Sequence, residues 1–154
     1  MNFAKLLTPE AVKVLSSTTS KKRLLTDLAD LAESVHGLNA QVVVEALLAR
    51  EALGPTGVGH GVALPHARVD GITDVTGLFV LLEKPVDFGS VDRQPVDIAF
   101  ALFAPENAGV EHLKALALVS RTLRDVSICA KLRANPSANT LYTILTEAEG
   151  VKAA

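Results

Sequence analysis

Tryptophan is missing from this 154-residue sequence, and aromatic residues make up only 4% of it although 49% of its residues are hydrophobic. Its core is therefore built mainly from Leu, Val, Ile and Ala, as is typical of α/β proteins. The single cysteine, Cys129, excludes an internal disulfide, and its periodic setting in "VSICAKLR" predicts a buried structural thiol.

Long apolar runs are also missing. No stretch approaches the roughly 18 residues that span a bilayer, and the apolar run in "MNFAKLLTPE" is too short, and interrupted by Lys5, for a signal peptide. The sequence thus predicts a cytoplasmic protein that is not embedded in a membrane.

An excess of positive charge is the next absence. Fifteen basic and seventeen acidic residues give a net charge of −2, which argues against a general nucleic-acid or anionic-membrane binder. The basic run "KKR" at 21–23 is too short for a nucleic-acid patch. Any anion that this protein binds is therefore expected to be recognised locally.

The chain has no internal repeats, low-complexity tracts or long linkers, so we expect one domain over residues 1–154. Ser20 and Gly37 are the expected start and stop of one helix, and Asn39 the cap of a second that runs to about Leu53. "AVKVL" (11–15) alternates weakly and predicts a short edge strand, although Pro9 is equally suited to open a helix.

Two apolar segments in the middle of the chain predict buried strands. The first covers about 74–83 and is closed by Pro85, and the second covers about 96–103 and is closed by Pro105.

Helices are expected to follow these strands. One begins at "EHLKALALVSRTLRD" and a short piece lies near 127–133, while the last ends before Gly150. The inward positions expected for the first and last of these helices are Leu113, Leu116, Ala117, Ser120, Leu123, Leu141, Ile144 and Leu145. We predict an α/β fold: a single domain with a mixed β-sheet flanked by helices on both faces.

The stretch "GVGHGVALPHARVD" (57–70) contains the most informative residues. Gly57 and Gly59 belong to a glycine run that lets the backbone approach a ligand or simply turn between a helix and a strand. His66 follows "GVALP", a short apolar strand that Pro65 is expected to end, so its ring is aimed in one direction. Such an imidazole serves as a nucleophile toward phosphorus, a general base or a metal ligand, or is a surface histidine after a turn.

Three further side chains are candidates for the same site. His112 begins a helix, where free N–H groups favour an anion, and Arg50 ends the helix before the glycines, where a guanidinium binds an oxyanion bidentately. Thr56 can donate a hydroxyl to that anion or stabilise the turn. Arg68 is expected at the rim, and each of the others also has an ordinary structural role available.

Metal binding by His60, His66 and His112, with oxygen from Glu111, is a minor alternative. The sequence has no H-E-x-x-H or C-x-x-C motif, and no Walker or dinucleotide fingerprint is present among the glycines. His36, before a helix-ending glycine, is expected to be a capping or surface residue.

At "REALGPTGVGHGVALPHAR" the chain resembles the enzyme IIA domains of the phosphoenolpyruvate-dependent phosphotransferase system (PTS), in the fructose/mannitol group and above all its nitrogen-regulatory branch. The resemblance rests on an arginine and glutamate at a helix end, then L-G, a Ser or Thr, a glycine run and G-V-A-[IL]-P-H. It continues through "KPVDFGSVDRQPVDIAFALFAPENAGVEHLKALALVSRTLRD". One departure is His60, where the family most often has Asn.

The resemblance implies a phosphohistidine carrier without metal, nucleotide or other cofactor. His66 matches the histidine that accepts a phosphoryl group from an HPr-type phosphocarrier protein, His112 matches the supporting histidine, and Arg50 the arginine that neutralises phosphate charge. Thr56, Gly57 and Gly59 are suitable phosphate-binding parts. The implied regulatory partners are proteins such as a transporter or a sensor kinase.

Three alternatives remain open at this point. A sugar-specific fructose- or mannitol-type subunit would pass the phosphoryl group to a IIB protein. A pure binding module would regulate partners without phosphorylation, and a metal-dependent hydrolase would use the histidines as ligands.

Overall fold

A six-stranded mixed sheet forms the centre of the computed structural model, which describes residues 1–153 and the side chains of residues 1–148. The strands are β1 (Val12–Leu15), β2 (Gly57–Gly59), β3 (Val62–Ala63), β4 (His66–Arg68), β5 (Thr76–Val86) and β6 (Val96–Ala104). The helices are α1 (Phe3–Leu6), α2 (Lys21–His36), α3 (Ala40–Ala52), α4 (Val110–Leu123), α5 (Val126–Ala134) and α6 (Ala138–Ala153), with a 3-10 turn at Pro9–Ala11.

The strand order is β1-β5-β6-β3-β2, and β4 also pairs with β6. β5 and β6 are antiparallel to each other, whereas β1 runs parallel to β5, and β3 and β4 run parallel to β6. β3 and β4 lie one after the other along the same neighbour, β6. They therefore form one strand position that is interrupted at Leu64 and Pro65.

Both faces of the sheet are covered. All residues from Ile98 to Ala104 on β6 have no exposed surface, and because neighbouring residues of a strand point to opposite faces, the helices must cover both. α2 and α3 pack against each other and on β5 and β4, while α4, α6 and α1 contact β6, β1 and β5. The predicted single α/β domain is confirmed. Within residues 1–153, no helix has the length and apolar character needed to cross a membrane.

The predicted helix starts are confirmed by their capping bonds. The Ser20 side chain accepts a bond from the backbone N–H of Arg23, and the Asn39 side chain one from Val42. Gly37 ends α2 in the left-handed conformation, at φ 71°. Both predictions for the segment after Thr8 are also confirmed, because Pro9 opens a 3-10 turn and β1 follows it.

One predicted strand end is wrong. β5 continues through Pro85 to Val86. Pro85 lies beyond the last residue of β5 that pairs with β1, and the register between β5 and β6 shifts in the same stretch. No hydrogen bond between strands therefore needs a backbone N–H at this position. The predicted strand end before His66 is confirmed, because β3 ends at Ala63, but His66 is not in a loop and immediately begins β4. Pro65 lacks an N–H, yet its carbonyl accepts a bond from the Leu102 N–H at 3.0 Å, so pairing with β6 resumes immediately.

The predicted inward face of α4 is only partly correct: Leu123 is buried and Leu116 packs partly buried against the core, but Leu113 and Ala117 are exposed. The helix buries His112, Ala115, Leu118, Val119, Thr122 and Leu123, whereas Leu113 is 67% exposed. Leu and Ala occur around most of this helix, so its periodicity alone does not distinguish neighbouring stripes. On α6, Leu141 and Leu145 are buried as predicted and Ile144 is partly buried, but the helix runs past Gly150 to Ala153.

A two-residue turn at His60 and Gly61 joins β2 to β3. Both residues have positive φ, 57° and 80°, as in a type I′ hairpin turn. The His60 N–H donates to Asp92 at 2.9 Å, and its carbonyl accepts from Arg133 at 2.8 Å. The N–H bonds from His60 and Gln94 lower the pKa of the Asp92 carboxyl. The turn is thus fixed from two sides.

The positive φ of His60 generates a stability prediction. Asn tolerates this conformation better than other side chains that carry a Cβ, so His60→Asn should raise the free energy of unfolding by about 0.5 kcal/mol. His60→Val, with a β-branched side chain, should lower it by about 1–2 kcal/mol. Urea unfolding of the three proteins measures both changes, and equal stabilities would show that this turn carries no backbone strain.

Candidate functional site

Three of the predicted side chains come together at the surface. Arg50 from the last turn of α3, His66 at the start of β4 and His112 in the first turn of α4 line one open depression of about 470 Å³. The rings of His66 and His112 meet edge to face, with 5.8 Å between their centres. Residues far apart in the sequence thus form one cationic, imidazole-rich site.

The His66 ring is held in one tautomer. Its Nδ1 lies 2.8 Å from the backbone carbonyl oxygen of Leu64. A carbonyl can only accept, so Nδ1 carries the proton and donates it. The other nitrogen, Nε2, then keeps its lone pair and accepts a bond from Arg50 Nε at 3.2 Å. The interrupted strand therefore presents Nε2 to the depression as a nucleophile or base.

The Arg50 guanidinium is fixed at two points. Besides the bond from Nε to His66, its Nη1 donates to the carbonyl oxygen of Gly54 at 3.0 Å. Gly54 lies four residues after Arg50, in the loop that leaves α3. Because a guanidinium has five N–H donors, this arrangement leaves further donors for an anion beside Nε2.

His112 is 93% buried by its surroundings, since its exposed fraction is 7%. Burial, followed by the charges of His66 and Arg68, lowers the pKa of His112 from its ordinary value of 6.5. The ring is therefore neutral at pH 7. Its Nε2 is buried and has no hydrogen-bond partner among the residues that the structure describes, which is uncommon for a buried polar atom.

Arg68 contributes a second guanidinium to the depression. Its Nη1 donates to the carbonyl oxygens of Glu106 and Ala108, in the loop that leads into α4. Apolar side chains line the same opening, namely Ala46, Ala49, Leu53 and Ala67, and Leu53 is 84% exposed. The site thus combines cations with an apolar rim, as protein-docking surfaces do.

Thr56, Gly57 and Gly59 do not line this depression. The Thr56 hydroxyl donates to the buried carboxylate of Glu51, and the N–H of Thr56 donates to the same group at 3.0 Å. A Cβ on Gly57 would lie 2.1 Å from Ser90 Oγ, and Gly59 has a φ of 100°. Packing and backbone conformation therefore account for both glycines.

The remaining histidines lie elsewhere. His60 borders a separate groove with Arg124 and Arg133. His36, at the end of α2, donates from Nε2 to the Gly77 carbonyl at 2.9 Å. No cluster of three His, Cys, Asp or Glu side chains suited to a metal ion occurs in the described part of the chain. The predicted buried thiol is confirmed: Cys129 donates to the Leu123 carbonyl, and burial raises its pKa.

Sequence reasoning missed one contributor to the site's framework. Lys21, which the sequence shows only as part of a basic run too short for a nucleic-acid patch, forms an ion pair with Glu51 at 2.9 Å. Its Nζ also lies 4.5 Å from the centre of the Phe88 ring. The spacing of charges within α2 gives no signal for this pairing, because the partner lies on another helix.

The fold and these side chains define an α/β protein with a paired-histidine site at the start of a broken strand. The family described as "Phosphoenolpyruvate-dependent sugar phosphotransferase system, EIIA 2" matches residues 5–148, and the chain belongs to that family. The resemblance inferred from the sequence is confirmed.

Among its relatives is a "Nitrogen regulatory protein" of Bradyrhizobium diazoefficiens, 47% identical over 145 residues that cover 94% of this chain and 95% of the relative. A protein of the same description from Escherichia coli K12 is 41% identical over 97% of this chain and 93% of its own length. The crystal structure of nitrogen regulatory protein IIA-Ntr from Neisseria meningitidis has a TM-score of 0.86 and 39% identity, covering 94% of this chain and 99% of that one. The protein is thus a PTS-type EIIA whose similarity is to the nitrogen-regulatory members.

The lowered pKa of His112 predicts an acid-dependent loss of stability. Below about pH 6.5 the unfolded chain binds a proton at this histidine while the folded protein does not, so the free energy of unfolding falls as the pH decreases. His112→Gln should remove that part of the pH dependence.

Denaturant unfolding between pH 7.5 and 5.5 measures the effect, with His60→Gln as the control at an exposed histidine. His60→Gln should keep the wild-type slope. A His112→Gln slope equal to that of the wild type would contradict burial of a neutral His112.

Proposed function

We propose that this protein is a phosphohistidine carrier that accepts a phosphoryl group on Nε2 of His66 from a phosphorylated HPr-type protein. The observation that carries the proposal is the tautomer of His66. The Leu64 carbonyl holds the proton on Nδ1, so the lone pair on Nε2 faces the depression between Arg50 and His112. Membership of the EIIA family supports the same donor chemistry.

In this proposal, the Nε2 lone pair of His66 forms a new N–P bond as the N–P bond of the donor histidine breaks. The electron pair of the broken bond returns to the donor imidazole, and the proton stays on Nδ1 of His66, hydrogen-bonded to the Leu64 carbonyl oxygen. Arg50 neutralises charge on the equatorial oxygens, and the buried Nε2 of His112 hydrogen-bonds one of them. Apart from the new N–P bond, the protein contributes the positioning of the reacting groups rather than further covalent chemistry.

The bond from Arg50 Nε to His66 Nε2 has a direct mechanistic consequence. The lone pair needed for attack is the one that accepts this bond, so Arg50 must leave Nε2 before the N–P bond forms. The guanidinium then moves from the nucleophile to the phosphoryl oxygens. Because it is also bonded to the Gly54 carbonyl, it can turn about that contact without leaving the site.

Thr56, Gly57 and Gly59 have a supporting role in the proposal. They shape the loop and hairpin that precede His66, and the Thr56 hydroxyl, which now donates to Glu51, becomes a phosphate donor only if that bond is exchanged. Arg50, His66 and His112 are the residues assigned direct contact with the phosphoryl group.

A regulatory role follows from the relatives and from the surroundings of His66. A phosphoryl group on His66 would place about two negative charges between Arg50, Arg68 and the apolar rim. This change of charge would alter which partner surfaces are complementary to the site. We therefore propose that the phosphorylated and unphosphorylated forms bind regulated proteins, such as a transporter or a sensor kinase, differently, and that this exchange is cytoplasmic.

Intact-mass measurement after incubation with phosphoenolpyruvate, enzyme I and an HPr-type protein tests the carrier activity. Wild type should gain one acid-labile phosphoryl group and His66→Ala none. His112→Ala and Arg50→Ala should gain it about 10–100-fold more slowly, because each loses a group that stabilises the transferred charge. His36→Ala, a histidine outside the site, should match the wild type.

Absence of phosphorylation in the wild type, under conditions that phosphorylate a control EIIA, would contradict the proposal and favour a pure binding module. Transfer onward to an added fructose- or mannitol-type IIB protein would instead favour a sugar-specific subunit.

A further inference from the structure

An ion pair with a buried carboxylate lies next to Arg50 of the candidate site. Glu51 is the residue after Arg50, and its side chain is only 5% exposed. Its carboxylate accepts from Lys21 Nζ at 2.9 Å and from the Thr56 N–H at 3.0 Å, and it also accepts the Thr56 hydroxyl. We call Lys21, Glu51 and Thr56 the Glu51 cluster.

The Glu51 cluster joins separate parts of the fold. Lys21 is the first residue of α2, Glu51 lies in the last turn of α3, and Thr56 immediately precedes β2. Phe88, which follows β5 and is fully buried, supports the ammonium group through its ring. A buried carboxylate with these partners is fully compensated, whereas removal of one partner leaves a charge without compensation.

The cluster closes the loop that holds Arg50. The Gly54 N–H bonds to the backbone carbonyl of Glu51, and the Thr56 N–H bonds to the Glu51 side chain, so one residue fixes both ends of the segment 54–56. The carbonyl oxygen of Gly54, within that segment, accepts from Arg50 Nη1. The position of the Gly54 carbonyl therefore determines where the Arg50 guanidinium lies.

We propose that Glu51 and Lys21 are positioning residues for Arg50. The ion pair holds the buried Glu51 carboxylate, which fixes the loop 54–56. The Gly54 carbonyl then orients the guanidinium, which donates to Nε2 of His66. Neither residue touches the phosphoryl group. Their effect on transfer rests on the proposed function, but their effect on the bond between Arg50 and His66 exists without any transfer.

Nitrogen NMR of the unphosphorylated protein tests the positioning directly. Glu51→Gln keeps an oxygen for the Thr56 N–H but loses the charge that pairs with Lys21, and Lys21→Met loses the ammonium while keeping its apolar stem. In both variants the His66 Nε2 resonance should move toward its position in Arg50→Ala, while the Nδ1 resonance stays in place. Glu45→Gln, an exposed carboxylate on the same helix, should change neither.

Transfer kinetics give the second readout. Glu51→Gln should lower the rate at saturating HPr-type donor about 10-fold and change the half-saturating donor concentration less than about twofold, because an oriented group rather than a docking contact is lost. In the Arg50→Ala background, Glu51→Gln should cost no further rate, since its effect passes through Arg50.

Multiplicative losses in the double variant, or an unmoved His66 Nε2 resonance in both single variants, would overturn the proposal and leave the ion pair a purely structural element. If Glu51→Gln fails to fold, Lys21→Met decides by the same two readouts. If the wild type accepts no phosphoryl group, the proposed function fails, and the NMR result alone decides whether the cluster positions Arg50.

Discussion

The interruption of one strand beside β6 is the constraint on which the candidate site depends. Pro65 breaks the ladder for one step because it lacks an N–H, and its own carbonyl then restores pairing through Leu102. The break leaves the Leu64 carbonyl to accept from Nδ1 of His66. A single local irregularity thus places the imidazole, selects its tautomer and turns Nε2 toward the surface.

The rest of the site is assembled around that nitrogen from rigid elements. Helices α3 and α4 bring Arg50 and His112 to it from different segments, and Arg68 ties β4 to the loop before α4. Because His112 stays neutral under burial, the positive charge near His66 comes from arginines, which cannot lose their protons at physiological pH. The positive charge of the site therefore does not depend on the protonation of His112.

Local signals predicted much of the fold. Ser20 and Asn39 identified helix starts because capping depends on a few adjacent residues, and continuous apolar runs identified β5 and β6. The errors arise where tertiary contacts decide. The buried face of α4 was partly misassigned because apolar residues occur on several faces of this helix. β5 continues through Pro85 because no neighbouring strand needs a hydrogen bond from a backbone N–H at that position. At the site, Arg50, His66 and His112 come together as their positions in the sequence suggested. The ion pair of Lys21 with Glu51 could not be predicted, because it joins two different helices and residue spacing within one helix does not reveal it.

The contact between Arg50 and His66 links the two roles proposed for the protein. In the proposed mechanism, the bond from Arg50 Nε holds the His66 ring in place but occupies the Nε2 lone pair that is needed for attack. A phosphorylated donor that docks on the apolar rim brings an oxyanion that competes for the same guanidinium. Charge-assisted bonds to phosphate are stronger than a bond to neutral imidazole, so arrival of the donor itself shifts Arg50 and frees Nε2. In this proposal, Arg50 stays with the phosphoryl oxygens after transfer, so a regulated partner meets a neutralised guanidinium in place of a half-buried cation.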